Sequence, residues 1–418
     1  MRQPSLLLAV AIVCATCFIA PLAGWSGEAK PIVIGVPSSL KMLEASEGLK
    51  AIIMATEEIN AAGGVSLGGT KRPFKVESID TRGGEPGVPI SDALMAIEKL
   101  FLEKKPDAVV LGPFRSEVLL AAMDLYAKYK ITSINVAMTP KFIEKYESDP
   151  EKYKYCFRML NAKYVVGYLL KTMAKLKTDQ GFDKVYIINQ DVLWANAIGK
   201  GMAQLLEKSG WTVAGHDTYP TGAGDFSTSL MKARKAGVQV LLPIFDMDTS
   251  GTLAIQWKDM QVPALPVGFI SPLMGSKAAK TFGDTVDGVV NIVFQAGNIP
   301  LEKYPPAAKF YQAYEKRWGE ALQAGHMPSE AYDSVFVLAK AIERADSLDP
   351  EKLVKALEAT DYTGSIGRIR FKGHEIVFGE DPKETAILVI YQWQNEKRVP
   401  VFPPSVAEAP IVKPEWMK

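Results

Sequence analysis

Residues 108–117 read Ala108-Val109-Val110-Leu111-Gly112-Pro113-Phe114-Arg115-Ser116-Glu117. Four apolar residues in a row suit a strand covered on both faces. Gly112-Pro113 breaks the run, and Ser116 opens an apolar-periodic stretch, 118–126, that reads as a helix. A strand that turns through a short loop into a helix is the unit of a parallel sheet, because a parallel neighbour is reached only through a crossover. The same unit recurs on both sides. Upstream, Ile32-Val33-Ile34-Gly35-Val36 precedes a helix that Gly63-Gly64 ends, and strand 74–79 precedes a helix carrying Ile90, Leu94, Ile97 and Phe101. Downstream, strand 131–136 closes the first series.

The rhythm restarts near residue 158, with helices at 164–177, 195–209 and 226–235 and strands at 185–189, 211–215 and 238–244. Two series of similar length predict an α/β protein of two doubly wound lobes. The last third holds a strand at 288–295, helices at 306–322, 329–345 and 350–359, and strands at 369–371 and 386–393. These elements read as returning to complete the lobes. The expected division is 30–158 with about 275–375 in one lobe, 159–274 with about 376–395 in the other, and a proline-rich tail over 396–418.

Composition narrows the function. Of 418 residues, 48 are Lys or Arg and 47 are Asp or Glu, so no long-range field of either sign favours nucleic acid or anionic lipid. Three cysteines and three histidines leave little material for a zinc or multi-histidine site. No cofactor is expected. Leu6 to Ala20 is apolar apart from Thr16, too short for a membrane span and preceded by Arg2, which reads as an export signal over 1–29. The residues before Cys14 and Cys17 fit poorly the small-residue pattern that precedes a lipidated cysteine, so a soluble periplasmic protein without a lipid anchor is expected. Cys156 is then the only cysteine left, read as a small buried hydrophobe.

An enzyme reading finds no support in motifs: no Gly-x-Ser-x-Gly elbow, no phosphate loop and no His-Glu-x-x-His occurs. Asp225 in Gly222-Ala223-Gly224-Asp225-Phe226 reads as a helix cap. His216, His326 and His374 are too scattered to pair as ligands. Binding suits the architecture better, since open parallel sheets hold ligands beyond the carboxyl ends of their strands. Two such loops are 112–117 and Asn135-Val136-Ala137-Met138-Thr139-Pro140. Ser116 and Thr139 offer hydroxyls to an anionic oxygen beside unpaired helix N–H groups, or serve as plain N-caps.

Ile34-Gly-Val-Pro-Ser, Glu58-Ile-Asn-Ala-Ala-Gly-Gly, Leu111-Gly-Pro-Phe-Arg-Ser, Gly224-Asp-Phe-Ser and Tyr362-Thr-Gly-Ser-Ile-Gly-Arg-Ile-Arg-Phe, in this order, resemble the periplasmic binding proteins of the leucine/isoleucine/valine type. The resemblance spans nearly all of the chain after residue 30. It implies the type I periplasmic binding protein fold, two lobes joined by three crossovers that close on a small solute. It implies that Ser116 and Thr139 grip an α-carboxylate, that the Ala137 carbonyl accepts from an α-ammonium, and that Trp194 lies over the ligand. In Phe245-Asp246-Met247-Asp248 it implies an acid for the ammonium. Asp248 is slightly favoured over Asp246, with Phe245 alongside. Two departures stand out: the first loop reads Ser38-Ser39-Leu40-Lys41-Met42-Leu43-Glu44, and Arg115 stands where a small or neutral residue is common. An inward Arg115 or Lys41 favours a second carboxylate, or an aromatic or other organic acid without an ammonium.

The implied role is a monomeric extracytoplasmic binder that feeds an amino acid or organic acid to the membrane permease of an ABC importer. A sensor of the same fold and an α/β enzyme assembled from distant residues are the competing readings.

Overall fold

The computed structural model describes residues 30–417; the apolar leader, with Cys14 and Cys17, lies outside them. Among the described residues the chain forms two seven-stranded sheets. In the first, the spatial order is Phe371–Lys372, Glu375–Ile376, Cys156–Arg158, Ser133–Asn135, Ala108–Leu111, Ile32–Ser38 and Phe74–Asp80. In the second it is Lys397–Phe402, Val389–Gln394, Val290–Val293, Leu265–Ile270, Val240–Phe245, Lys184–Gln190 and Thr212–Tyr219. The chain passes between the sheets three times: after Arg158, after Val293 and after Ile376.

In each sheet the strand order reverses once in the parallel region. The first reversal lies where Ile32–Ser38 is flanked by Phe74–Asp80 and Ala108–Leu111. The second lies where Lys184–Gln190 is flanked by Thr212–Tyr219 and Val240–Phe245. Loops diverge to opposite faces at such a point and leave a crevice at the strands' carboxyl ends. Ala108–Leu111 is wholly buried, as its apolar run requires. Beyond it Leu111 (φ 74°) and Gly112 (φ 63°) turn the chain sharply toward helix Ser116–Tyr129. A Cβ on Gly112 would lie 2.2 Å from Asn135 Oδ1, so only glycine fits the turn.

Two boundaries and one strand differ from expectation. Strand Val290–Val293 pairs within the second sheet, so the return to the first lobe comes after it rather than near 275. Helix Pro305–Trp318 then packs Phe310 and Tyr314 against Ala51 and Met54 of helix Leu43–Ala61. Lys397–Phe402, expected as tail, is an edge strand antiparallel to Val389–Gln394, where Pro400 is tolerated because an edge residue needs no second ladder bond. Strand Leu265–Ile270 has no apolar signature of its own, since Pro266 and Gly268 interrupt it. Its glycine answers a proline on the neighbouring strand: a Cβ at 268 would lie 2.1 Å from the Pro243 carbonyl oxygen. Asp225 accepts from Ser227 N (2.9 Å) at the start of helix Ser227–Ala236, and Cys156 is a buried free thiol.

Candidate functional site

The two crevices face one another. Glu44 and Arg115-Ser116 come from the loops and helix starts at the first reversal, and Trp194 and Asp246 from those at the second. Phe114, Ala137, Met138 and His326 add to the first bank, Phe269 and Phe294 to the second. The space they enclose is about 20 Å³, room for about one water molecule. An amino-acid-sized solute therefore enters only if the lobes separate and the facing side chains part.

The centre of the cleft is an ion pair between the lobes. Arg115 Nη1 donates to Asp246 Oδ2 at 2.6 Å, with both side chains less than a tenth exposed. Trp194 Nε1 donates to the same oxygen at 2.9 Å. Asp246 is fixed from behind because its own N–H and that of Met247 both donate to Gln190 Oε1, at 3.0 and 3.2 Å. Its other oxygen, Oδ1, is buried and has no hydrogen-bond partner among the described residues. An unmatched buried acceptor costs about 1–3 kcal/mol, so this oxygen favours any donor that enters the cleft. The Arg115 guanidinium also lies 4.9 Å from the centre of the Phe114 ring.

A second contact crosses the cleft beside the first: Ser271 Oγ donates to Glu44 Oε1 at 2.5 Å. Burial, reinforced by the nearby Asp246 carboxylate, pushes the Glu44 carboxyl up to about 7. Burial holds His326 down to about 3, so its imidazole is neutral at ordinary pH. An aromatic wall completes the site. Phe269 stacks on Phe294 with ring centres 4.4 Å apart, Trp194 meets Phe269 edge-on at 5.4 Å, and His326 meets Phe294 at 5.3 Å. Such a wall buries a large apolar group and selects its shape.

Of the residues singled out in the sequence, the structure brings Arg115, Ser116, Ala137, Trp194 and Asp246 to this cleft. Three others lie elsewhere. Asp248, the favoured acid, is exposed at the first residue of a 3₁₀ turn, and Asp246 faces inward instead. Phe245 points into the second lobe's core against Phe226, ring centres 5.2 Å apart. Thr139 is buried and does not line the cleft; its hydroxyl accepts from Lys141 N at 3.3 Å, the plain helix-start role. The Ala137 carbonyl accepts from Arg158 Nη1 at 3.4 Å, which commits one of its lone pairs away from the cleft. Lys41 is exposed and pairs with Glu85 at 3.4 Å. Sequence reading missed Glu44, Phe114, Met138, Phe269, Phe294 and His326 as site residues. The only signal available was the unusual acid ending the first loop.

Comparison with known proteins agrees with this architecture. A family profile described as periplasmic binding protein matches residues 37–396. The Leu/Ile/Val-binding protein homolog 8 of Brucella melitensis is 23% identical over 423 residues, 98% of this chain and 98% of that protein. Homolog 7 of the same organism is 23% identical over 384 residues, 89% and 91% of the two chains. Among solved structures, a type 1 periplasmic binding protein from Bordetella pertussis superposes with a TM-score of 0.72 at 20% identity, covering 89% of this chain and 99% of that one. The branched-chain amino acid transporter substrate binding protein of Streptococcus pneumoniae, solved in complex with isoleucine, gives 0.70 at 20% identity, covering 92% and 100%. The chain belongs to the periplasmic binding protein family, whose members bind solutes rather than transform them, and its two lobes have the type I fold of that family.

Proposed function

We propose that this protein captures an α-amino acid with a large apolar side chain outside the cytoplasm and delivers it to the membrane permease of an ATP-driven importer. The Arg115–Asp246 pair across the cleft carries this reading. A zwitterion entering between the lobes replaces one internal ion pair by two: its carboxylate takes Arg115 and the start of the helix at Ser116, and its ammonium takes Asp246. Charge stays balanced throughout. An organic acid without an ammonium would take Arg115 and leave Asp246 buried and unpaired, a strongly unfavourable outcome. The structure thus weighs against the organic-acid alternative that an inward Arg115 by itself suggested. The aromatic wall supplies the surface for the side chain, and the names of the relatives support the solute class. The apolar segment at 6–20 supports export, and no helix among the described residues is long and apolar enough to cross a membrane.

Closure follows from the placement of the half-sites. A solute that touches Arg115 on one bank and Asp246 and Trp194 on the other binds the closed form better than the open one, and so shifts the population toward closure.

The test is calorimetric titration with L-leucine, L-isoleucine, L-valine and L-phenylalanine, each beside its deaminated acid. The amino acids should bind and the deaminated acids should bind about 10- to 150-fold more weakly, the value of a lost charge-assisted hydrogen bond to a buried acceptor. Equal affinity for an amino acid and its deaminated partner would overturn the assignment. In the same assay Asp246→Asn should lose most of the affinity. Asp248→Ala should change it by less than about 0.5 kcal/mol, as expected for an exposed position.

A further inference from the structure

The reading above leaves one group in the cleft unused. Glu44 is the third charge-bearing side chain of the site after Arg115 and Asp246, and it makes the site's inventory acidic by one group. It is the second residue of helix Leu43–Ala61, and that helix holds it on the first bank while Asp246 stands on the second. Its Oε1 accepts from a hydroxyl of the opposite lobe, Ser271 at 2.5 Å, and its carboxyl is otherwise supported by its own backbone N–H. By contrast Glu47, one turn further on, is fully engaged by the backbone N–H groups of Gln323 and Ala324. A buried carboxyl with one side-chain partner is a costly choice for a merely structural contact, which a serine or glutamine would serve.

We infer that Glu44 is a specificity-determining residue that meets the solute's ammonium opposite Asp246, giving up its proton to solvent as the ammonium enters. This rests on the amino-acid reading of the site. Before the solute arrives, a proton on Glu44 spares the site two like charges; afterwards an ammonium between Glu44 and Asp246 is countered from both lobes. The carboxylic acid becomes a carboxylate, and one proton leaves to the buffer for each solute bound. The groups facing Glu44 all bear on that exchange. Asp246 and Asp248, from the segment after Val240–Phe245, oppose its ionisation, the Ser271 hydroxyl favours it, and Arg115 is committed to Asp246. His326, from the loop before helix Pro328–Ala345, is neutral in this range.

The sign follows. In the closed form without solute, burial pushes the Glu44 carboxyl up to about 7; below that value the proton must be expelled for the ammonium to bind, and above it the group is already ionised. Affinity should therefore fall as pH is lowered below about 7, by up to about tenfold per pH unit.

The experiment titrates whichever of the four amino acids binds best, at pH 6, 7 and 8, in two buffers of different ionisation enthalpy. The wild type should lose at least about fivefold in affinity from pH 8 to pH 6 and release a measurable fraction of a proton at pH 6. Glu44→Gln should hold its affinity within about twofold across the range and release none. If Glu44→Gln does not fold, Ser271→Ala serves. Loss of the hydroxyl that favours the ionised carboxyl should move the midpoint of the pH dependence upward. Tight binding by the wild type without proton release, equal pH slopes in wild type and Glu44→Gln, or an unmoved midpoint in Ser271→Ala would each overturn this inference and leave the amino-acid assignment standing. Failure of all four amino acids to bind would overturn both.

Discussion

Arg115→Met should separate the lobes and weaken solute binding by two to three orders of magnitude. The substitution leaves the Asp246 carboxylate buried against Trp194 with its cationic partner gone, a one-sided loss that costs about 3–5 kcal/mol in a closed interior. The two lobes have a way to relieve that strain which a single-core protein lacks: they open and let water reach Asp246. The expected readout is thus a larger radius of gyration by small-angle scattering, together with a fall in affinity as the solute carboxylate loses its donor. Arg115→Met combined with Asp246→Leu removes both charges and should restore compactness, because replacing a whole buried pair by apolar groups is neutral or stabilising. It should not restore binding. If Arg115→Met keeps wild-type affinity, the carboxylate is held elsewhere.

Arg158→Met should cost about 3–5 kcal/mol of unfolding free energy, the scale of a buried ion pair broken from one side. Arg158 is fully buried at the first passage between the lobes. It donates to the carbonyls of Ala137 and Thr139 and to Glu375, which arrives on the strand just before the third passage. Glu375 also takes both Asn161 Nδ2 contacts, at 2.8 and 2.9 Å, and Lys163 at 3.2 Å. Removing the guanidinium therefore frees the carbonyls of Ala137 and Thr139 and leaves the Glu375 carboxylate short of a partner. Urea unfolding checks the size of the effect. Arg317→Met is the control, because Arg317 and Glu57 form a well-aligned but half-exposed pair, and such a pair is worth less than about 1 kcal/mol.

The parts of this molecule that were readable in the sequence are those set by local rules. Apolar runs such as Ala108–Leu111 and Val240–Phe245 announce buried strands, and helices such as Ala162–Gln180 and Leu193–Lys208 announce themselves by period. Leu265–Ile270 escaped because Pro266 and Gly268 look like breakers until Pro243 is seen beside them. The site was less legible for a related reason. Asp246 and Asp248 are two residues apart in one loop, and only the turn beginning at Asp248 decides which faces inward. Arg115 was readable as unusual but not as inward, since its partner lies 131 positions away. Glu44, Phe269, Phe294 and His326 have meaning only through contacts between lobes, and no pattern along one segment encodes these.

The two strand-order reversals also bear on how such a molecule changes over time. Four short connections, each leaving the end of a buried strand, supply most of the groups that judge a solute. The sheets beneath them hold their shape through backbone ladders and apolar packing that do not depend on what those connections contain. New cargo therefore demands only a refit of the rims, and the framework that swings them together can be inherited unchanged.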